Sequence, residues 1–173
     1  MADDFSSHEE VTATKVNLSL TAGRCLGRAR RITTSGNTSG TALLAILELD
    51  DLAIKAGRHI NIRTSPLMLD TDTANDVVRA LFTYTTDGST PTIASAQLFG
   101  TAAAKRLASA ADPEHVLIDV TYVPAVDETL SLLLCINRST GAGIERVISD
   151  GLNMIEFKVY DCGVDPGDTG VDL

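Results

Sequence analysis

Acidic and hydroxyl side chains alternate along residues 70–76 (DTDTAND), the segment whose residue types could bind a metal ion. Asp70, Asp72 and Asp76 would offer the hard oxygen ligands that Ca²⁺ prefers. The segment lacks both the glycine and the closing glutamate of an EF-hand loop. We favour the alternative, a polar loop between strands whose aspartates accept hydrogen bonds from backbone N–H groups. The sequence therefore predicts no metal and no cofactor.

Catalytic constellations find little support in the residue types and their spacing. The histidines His8, His59 and His115 are far apart in the chain, and no serine or cysteine stands in a G-x-S-x-G nucleophile turn. The adjacent carboxylates at 50–51 and 127–128 would point to opposite faces of a strand, whereas a glycosidase needs two carboxylates facing one bond. We therefore predict that the protein is not an enzyme.

The overall charge argues against two classes of partner. The chain carries a net charge of -9 and has a pI of about 4.6, whereas nucleic acids and anionic membranes attract basic surfaces. No stretch approaches the run of about 20 apolar residues that a membrane helix needs. The acidic start of the sequence lacks the apolar region of a signal peptide. We expect no nucleic acid, no membrane, and synthesis in a bacterial cytoplasm.

One basic cluster stands out against this acidic background, in the segment RCLGRARR. It contains Arg24, Arg28, Arg30 and Arg31. Such a cluster could be a docking patch for an acidic neighbour, such as a capsid surface, or a solvated basic turn. The three cysteines Cys25, Cys135 and Cys162 cannot all pair within one chain and match no metal motif, so we expect reduced thiols.

Apolar residues alternate with polar ones in most of the chain, as expected for strands that bury one face. Turn residues separate the runs, and no regular alternation of strands with helices is visible. The sequence predicts an all-β protein, a jelly-roll-like antiparallel β-sandwich. Residues 101–111 could form a short helix or a loop. The runs span residues 16–20, 43–49, 60–63, 78–85, 116–122, 130–136 and 155–159.

This pattern divides the chain into three parts. Residues 1–40 would be an N-terminal arm and anchoring segment, flexible at its acidic start. Residues 41–163 would form the sandwich, and the turn-rich residues 164–173 a short polar, acidic tail. Leu81 and Leu133 lie on the second face of their strands, so we expect a partner subunit to cover them.

Residues 56–98 resemble the jelly-roll virion proteins of tailed actinobacterial phages, a group of minor tail proteins, head fibres and capsid decoration proteins. The shared pattern is a strand AGR-x-I-x-I-R-T, then S-P-L-x-L-D, then a D-V-V-x strand that runs into Y-T-T-D-G-S-T-P-T. The strand at 130–137, the glycine turn at 141–143 and the last strand at 155–163 also match.

The resemblance implies a homotrimer, of the sort formed by jelly rolls related to the tumour-necrosis-factor fold. It implies a capsid decoration or cement protein in the virion, docked on the major capsid protein, that stabilises the head shell. A minor tail or fibre protein, docked on tail proteins, is the alternative within the same class. A host-glycan-binding module is a rival from another class, although a chain with no Trp and three Tyr has few aromatic platforms for sugars.

Overall fold

A computed structural model describes residues 23–98, 103–110, 112–150 and 152–164. These residues form β-strands and turns, with no helix among them. All strand pairings between the named strands are antiparallel. The strands are β1 (Arg24–Arg31), β2 (Leu44–Ile54), β3 (Arg58–Thr64), β4 (Leu67–Thr71), β5 (Asp76–Thr85), β6 (Ala96–Gln97), β7 (Ala103–Leu107), β8 (Glu114–Val116), β9 (Asp119–Tyr122), β10 (Glu128–Thr140), β11 (Glu145–Ile148) and β12 (Ile155–Val164).

Two of the sheets form a sandwich with the strand order of a jelly roll. Sheet 1 has the order β1-β12-β3-β9, and sheet 2 has the order β2-β10-β5, with β6 and β7 both paired to β5. Along the chain the long strands pass back and forth between the sheets, so that no strand of sheet 1 pairs with its neighbour in sequence. This two-sheet Greek-key arrangement is that of a jelly roll. The predicted fold class, a jelly-roll-like antiparallel sandwich, is confirmed.

The core lies between the two sheets and follows the alternation in the sequence. Ile60 and Ile62 of β3 are buried, while Asn61 between them is only partly buried. The rings of Phe82 in sheet 2 and Phe157 in sheet 1 meet edge to face, with centroids 4.9 Å apart. Burial of each large apolar side chain stabilises the fold by about 1.5–3 kcal/mol, so these positions hold the sheets together.

Two segments differ from the predicted elements. Within residues 101–111, residues 103–107 form a strand instead of the predicted helix or loop: β7 pairs with β5, with Arg79 opposite Ala104. The unpaired edge of β5 outweighs the helix propensity of alanine. The run at 116–122 is not one strand, because it breaks at 117–118 into β8 and β9, which belong to different sheets.

The segment assigned to the anchor is partly a strand of the sandwich. β1 pairs along its length with β12, so the sandwich begins before residue 40. A bulge between Cys25 and Gly27 interrupts the alternation that would have identified the strand. A β-carbon at Gly27 would lie 2.7 Å from Leu52 Cδ2, so β1 approaches the side chains of sheet 2 closely at this position. The remaining arm (1–22) and tail (165–173) lie outside the described residues.

A third, small sheet closes one end of the sandwich; we call it the cap and define it as β4, β8 and β11 with residues 34–38. β11 pairs with β4, and β4 with β8. The amide of Ser35 donates to the carbonyl of Val147 (2.9 Å), and the amides of Thr38 and Glu145 donate to each other's carbonyls. Four connections between the main strands therefore join at this end.

Candidate functional site

The acidic loop at residues 70–76 binds the backbone of the turn between β10 and β11. The Asp76 carboxylate accepts hydrogen bonds from the Thr71 hydroxyl (2.8 Å) and from the amides of Ala142 (3.0 Å) and Gly143 (2.9 Å). Asp72 accepts from the amide of Ile144 at 2.7 Å. This is the role that we favoured for these aspartates. Within the described ranges, no group of three or more His, Cys, Asp or Glu side chains is arranged to hold a metal ion.

The glycine turn after β10 leaves room for this carboxylate. A β-carbon added at Gly141 would lie inside the Asp76 carboxylate, 1.7 Å from Oδ1, and one at Gly143 would lie 2.3 Å from Oδ2. Gly141 also has a φ of 115°, which side chains rarely adopt. The two polar motifs of the sequence, DTDTAND and TGAG, therefore meet in space and fit each other.

The electrostatics of Asp76 favour its ionised form. Burial acts to raise the pKa of this carboxyl, but the hydroxyl and the two amides that donate to it act in the opposite direction and outweigh burial. Its pKa therefore lies below the ordinary value of an aspartate. A charged carboxylate is thus held inside the protein next to the cap.

Glu145, the first residue of β11, is a second buried carboxyl in the same place. It is 0% exposed, and neither of its carboxylate oxygens accepts a hydrogen bond within the described part of the chain. Its closest cation is Arg138, with 3.8 Å between Nη1 and Oε1. The pKa of Glu145 is raised to about 7: burial is the largest cause, the neighbouring Asp76 also acts to raise it, and Arg138 acts to lower it.

The basic cluster lies along β1, at the edge of sheet 1, but its members have different roles. Arg31 donates to the carbonyls of Thr34 (3.0 Å) and Ile46 (3.3 Å), so it ties β1 to neighbouring segments. Arg28 donates to Glu156 of β12 at 2.6 Å. Arg24 and Arg30 are exposed, and within the described ranges no ion pair engages either one. Two of the four predicted docking residues are thus exposed without an ion pair in the part of the chain that the structure describes.

The face of sheet 1 that points away from sheet 2, which we call the outer face, extends this basic surface. Lys158 lies between Arg28 and Arg63 in the register of three neighbouring strands. Arg63 is 3.5 Å from Asp119. The outer face carries two acidic side chains, Glu156 and Asp119. Its basic side chains outnumber them: they are Arg28, Arg30, Arg63 and Lys158.

A groove runs between the cap and the outer face. It has a volume of about 490 Å³ and is lined by Ser65, Pro66, His115, Leu152, Asn153, Met154 and Glu156. The Ser65 hydroxyl donates to the carbonyl of Met154 (3.0 Å), which fixes the floor. Leu152 on its rim is 90% exposed, and the nearby Leu117 is 43% exposed. A second hollow, on the outer face, includes Leu117, Lys158 and Tyr160. Apolar side chains therefore remain uncovered here.

The predicted interface residues of sheet 2 are covered within the single chain. Leu81 is 2% exposed and Leu133 is 5% exposed, and together with Cys135 they form a small apolar cluster separate from the main core. A partner subunit is not needed to bury them. Leu43 packs against the same cluster.

The other residues singled out in the sequence have structural contacts. Asp127 accepts from Lys55 (2.6 Å) and from the amide of Ala56 (2.9 Å), which closes a turn. His59 contacts the Thr121 hydroxyl at 3.1 Å. Cys25 and Cys162 are exposed and unpaired with sulfur, and Cys135 is buried. In the described ranges, no helix is long and apolar enough to cross a membrane.

Glu145 and Arg138 are the residues of this region that the sequence did not identify. Glu145 stands in a short polar-apolar stretch, IERVI, where a charged residue ordinarily faces solvent. Its burial follows from the pairing of β11 with β4 on one side and with Thr38 on the other. Such pairing between distant segments has no local signal in the sequence.

No protein-family model matches the chain, and no curated protein matches it significantly. Solved structures with a similar arrangement include the CBM22-1 xylan-binding domain of Paenibacillus barcinonensis Xyn10C, with a TM-score of 0.42, 14% identity, and coverage of 83% of this chain and 98% of that domain. Eiger TNF of S. frugiperda has a TM-score of 0.47, 9% identity, and coverage of 87% and 100%.

The VP2 subviral particle of infectious bursal disease virus is a third similar structure, with a TM-score of 0.42, 10% identity, and coverage of 80% of this chain and 37% of that one. All three are similar at the level of jelly-roll-type domains. At these scores and identities they carry no argument about function.

Proposed function

We propose that this chain is a structural protein of a tailed-phage virion, a capsid decoration protein that binds the outside of the head shell as a trimer. Most of the residues that carry the resemblance to such proteins lie on β3, β4, β5, β10 and β12 and on the glycine turn, and the rest lie in the loops beside these strands. In this role the protein stabilises the shell, because contacts between chains raise the free energy needed to open it.

The observation that carries the docking proposal is the basic surface of β1 and the outer face in a chain of net charge -9. Arg24 and Arg30 are exposed on the edge strand of sheet 1, and Arg28 of the same strand lies in register with Lys158 and Arg63. Complementary charge steers association and fixes orientation. We propose that this surface faces an acidic part of the major capsid protein, with the acidic remainder of the chain turned to solvent.

The trimer of this proposal uses surfaces other than Leu81 and Leu133, which are buried in one chain. Among the exposed apolar side chains, Leu152 at the groove and Leu117 in the second hollow offer surface for contact between copies. Exposed apolar side chains that cluster beside a groove are typical of protein–protein contacts.

No catalytic role forms part of the proposal. The aspartates that could have served a reaction or a metal bind backbone amides instead: Asp72 and Asp76 bind the turn between β10 and β11, and Asp127 closes its own turn. A carboxylate held by such donors stabilises the fold and is a weak base.

Binding to shells that lack the protein tests the docking surface. Purified protein is mixed with bare heads of the phage and sedimented at increasing salt. We expect binding that weakens with salt, because exposed charges are screened, and a loss of about tenfold in affinity, or about 1.4 kcal/mol, for Arg30→Glu.

Arg106→Glu is the matched control, because Arg106 is also exposed but lies on β7 of sheet 2. Equal loss for both variants would mean that net charge alone matters, and would refute the docking surface. Binding to isolated tails without binding to heads would indicate a minor tail or fibre protein instead.

A glycan-binding module is the second candidate, and Tyr160 is the observation that favours it. This partly exposed ring lies on the outer face, opposite Asn61 of β3, in a hollow that also includes Arg63 and Lys158. An aromatic ring beside polar side chains is a common sugar platform. Calorimetric titration with host cell-wall polysaccharide tests it: binding that Tyr160→Ala abolishes would support this function, and no heat for the unmodified protein would rule it out.

A further inference from the structure

The carboxyls of Glu145 and Asp76 are both buried, on either side of the glycine turn. Asp76 stands at the start of β5, and Glu145 at the start of β11, opposite Thr71 of β4. Asp76 already accepts from one hydroxyl and two amides. Glu145 accepts no hydrogen bond in the described ranges. Glu145 lies opposite Thr71, whose hydroxyl donates to Asp76, and Asp76 acts to raise the pKa of Glu145, so the two carboxyls are neighbours. Two neighbouring buried carboxyls are more stable with one proton between them than with two negative charges, and Glu145 is the one that can donate it to Asp76.

The charged groups around this pair do not neutralise the two carboxylates in place of the shared proton. Arg138 of β10 is 3.8 Å from Glu145, and its guanidinium also donates to the carbonyl of Gly143. Asp72, from the loop between β4 and β5, adds a further negative charge. The cations of β7, which pairs with β5 at Asp76, are directed elsewhere: Lys105 forms an ion pair with Glu114 at 3.3 Å, and Arg106 is exposed.

We propose that the Glu145–Asp76 pair is a pH-sensitive switch that holds the cap closed while the shared proton is present and loosens it when the proton leaves. Loss of the proton from Glu145 to solvent places two negative charges side by side in a buried site. The glycine turn at 141–144 rests on Asp76 and Asp72, so repulsion there separates β11 from the loop before β5. The switch is independent of the docking surface, which lies on sheet 1.

The direction of the effect follows from linkage. Burial raises the pKa of Glu145 to about 7, above its value in the unfolded chain, so the folded state binds this proton more tightly. The stabilisation is fully present below the unfolded pKa and is lost as the pH rises through the folded pKa. The cap should therefore be closed in mildly acidic solution and looser in mildly alkaline solution.

Hydrogen exchange measured by mass spectrometry on the full chain tests the switch. Rates for the segments 70–76 and 141–148 are compared between the unmodified protein and Glu145→Gln from about pH 5.5 to about pH 8.5, and their ratio at each pH cancels the intrinsic pH dependence. We expect the unmodified cap to lose protection, relative to Glu145→Gln, by about tenfold or more over this range. The side-chain amide that this substitution introduces cannot ionise and keeps a donor towards Asp76.

Glu114→Gln is the control, because it neutralises a partly exposed glutamate on β8 of the same cap. A constant ratio between the unmodified protein and Glu145→Gln would overturn the proposal, as would an equal change for Glu114→Gln. If Glu145→Gln does not fold, ¹³C NMR titration of the glutamate carboxyl carbons in the unmodified protein decides: one carboxyl that titrates near neutral pH, together with shifts of the cap amides, supports the switch, and cap amides that do not respond overturn it.

Discussion

Gly143→Ala should destabilise the protein far more than a methyl group on a surface turn ordinarily would. The new β-carbon would lie 2.3 Å from Asp76 Oδ2, 2.6 Å from Asp72 Oδ1 and 2.7 Å from Thr71 Oγ1. Asp76 is buried and cannot swing into solvent, so both carboxylates must move away from the amides that they bind.

The magnitude follows from the hydrogen bonds that are lost. A hydrogen bond to a charged group contributes about 1.5–3 kcal/mol, and two such bonds give a loss of about 3–6 kcal/mol. Domains of this size have a free energy of unfolding of about 5–15 kcal/mol, so the variant would lose a large part of its stability. The midpoint of thermal unfolding, followed by circular dichroism because the chain has no Trp, should fall by about 10 °C or more.

Gly40→Ala is the matched control for this measurement. Like Gly143, Gly40 has no positive φ, and the nearest atom to a β-carbon there is 3.9 Å away. Its stability should be unchanged or slightly higher, because alanine restricts the unfolded chain. Equal midpoints for the two variants would refute the role assigned to the glycine turn and its carboxylates.

Three further outcomes are expected. Arg58→Met should lower the free energy of unfolding by about 3–5 kcal/mol, because it leaves Asp161 without the buried guanidinium 2.7 Å away. Urea unfolding checks this prediction. A loss close to that of Lys55→Met, which breaks an exposed ion pair, would contradict it. A thiol reagent should label the two exposed cysteines quickly and Cys135 only on unfolding, since burial raises its pKa to about 11; three equal labelling rates would disprove this. Asp76 has a lowered pKa, so it stabilises the fold above its unfolded pKa, and this stabilisation is lost as the pH falls. The free energy of unfolding of Asp76→Asn should therefore depend less on acid pH than that of the unmodified protein. Identical dependence on acid pH would contradict the assignment.

The sandwich could be predicted because its central strands have clear alternation. Ile60 and Ile62 in β3 and the apolar run of β10 are buried as the pattern indicates. The edge strands carry weaker signals. A bulge hides β1, and alanines with high helix propensity form β7 because β5 offers an unpaired edge. Propensity is a local quantity, and pairing between distant strands overrides it.

The acidic loop shows which contacts can be predicted from local residue chemistry and which cannot. Its aspartates could be assigned to backbone amides from the sequence, since Asp side chains commonly do this in turns. Which amides they bind could not be predicted: Asp76 and Gly143 are 67 positions apart. For the same reason Leu81 and Leu133 could be recognised as apolar on a second face, whereas the segment of chain that buries them could not.

The mass of the purified protein, measured by light scattering coupled to size exclusion, tests the proposed assembly most directly. A species of three 18.3 kDa chains that persists on dilution is the expected result, because trimer contacts at Leu117 and Leu152 would be part of the folded protein. A single-chain mass at every concentration would contradict the trimeric decoration protein.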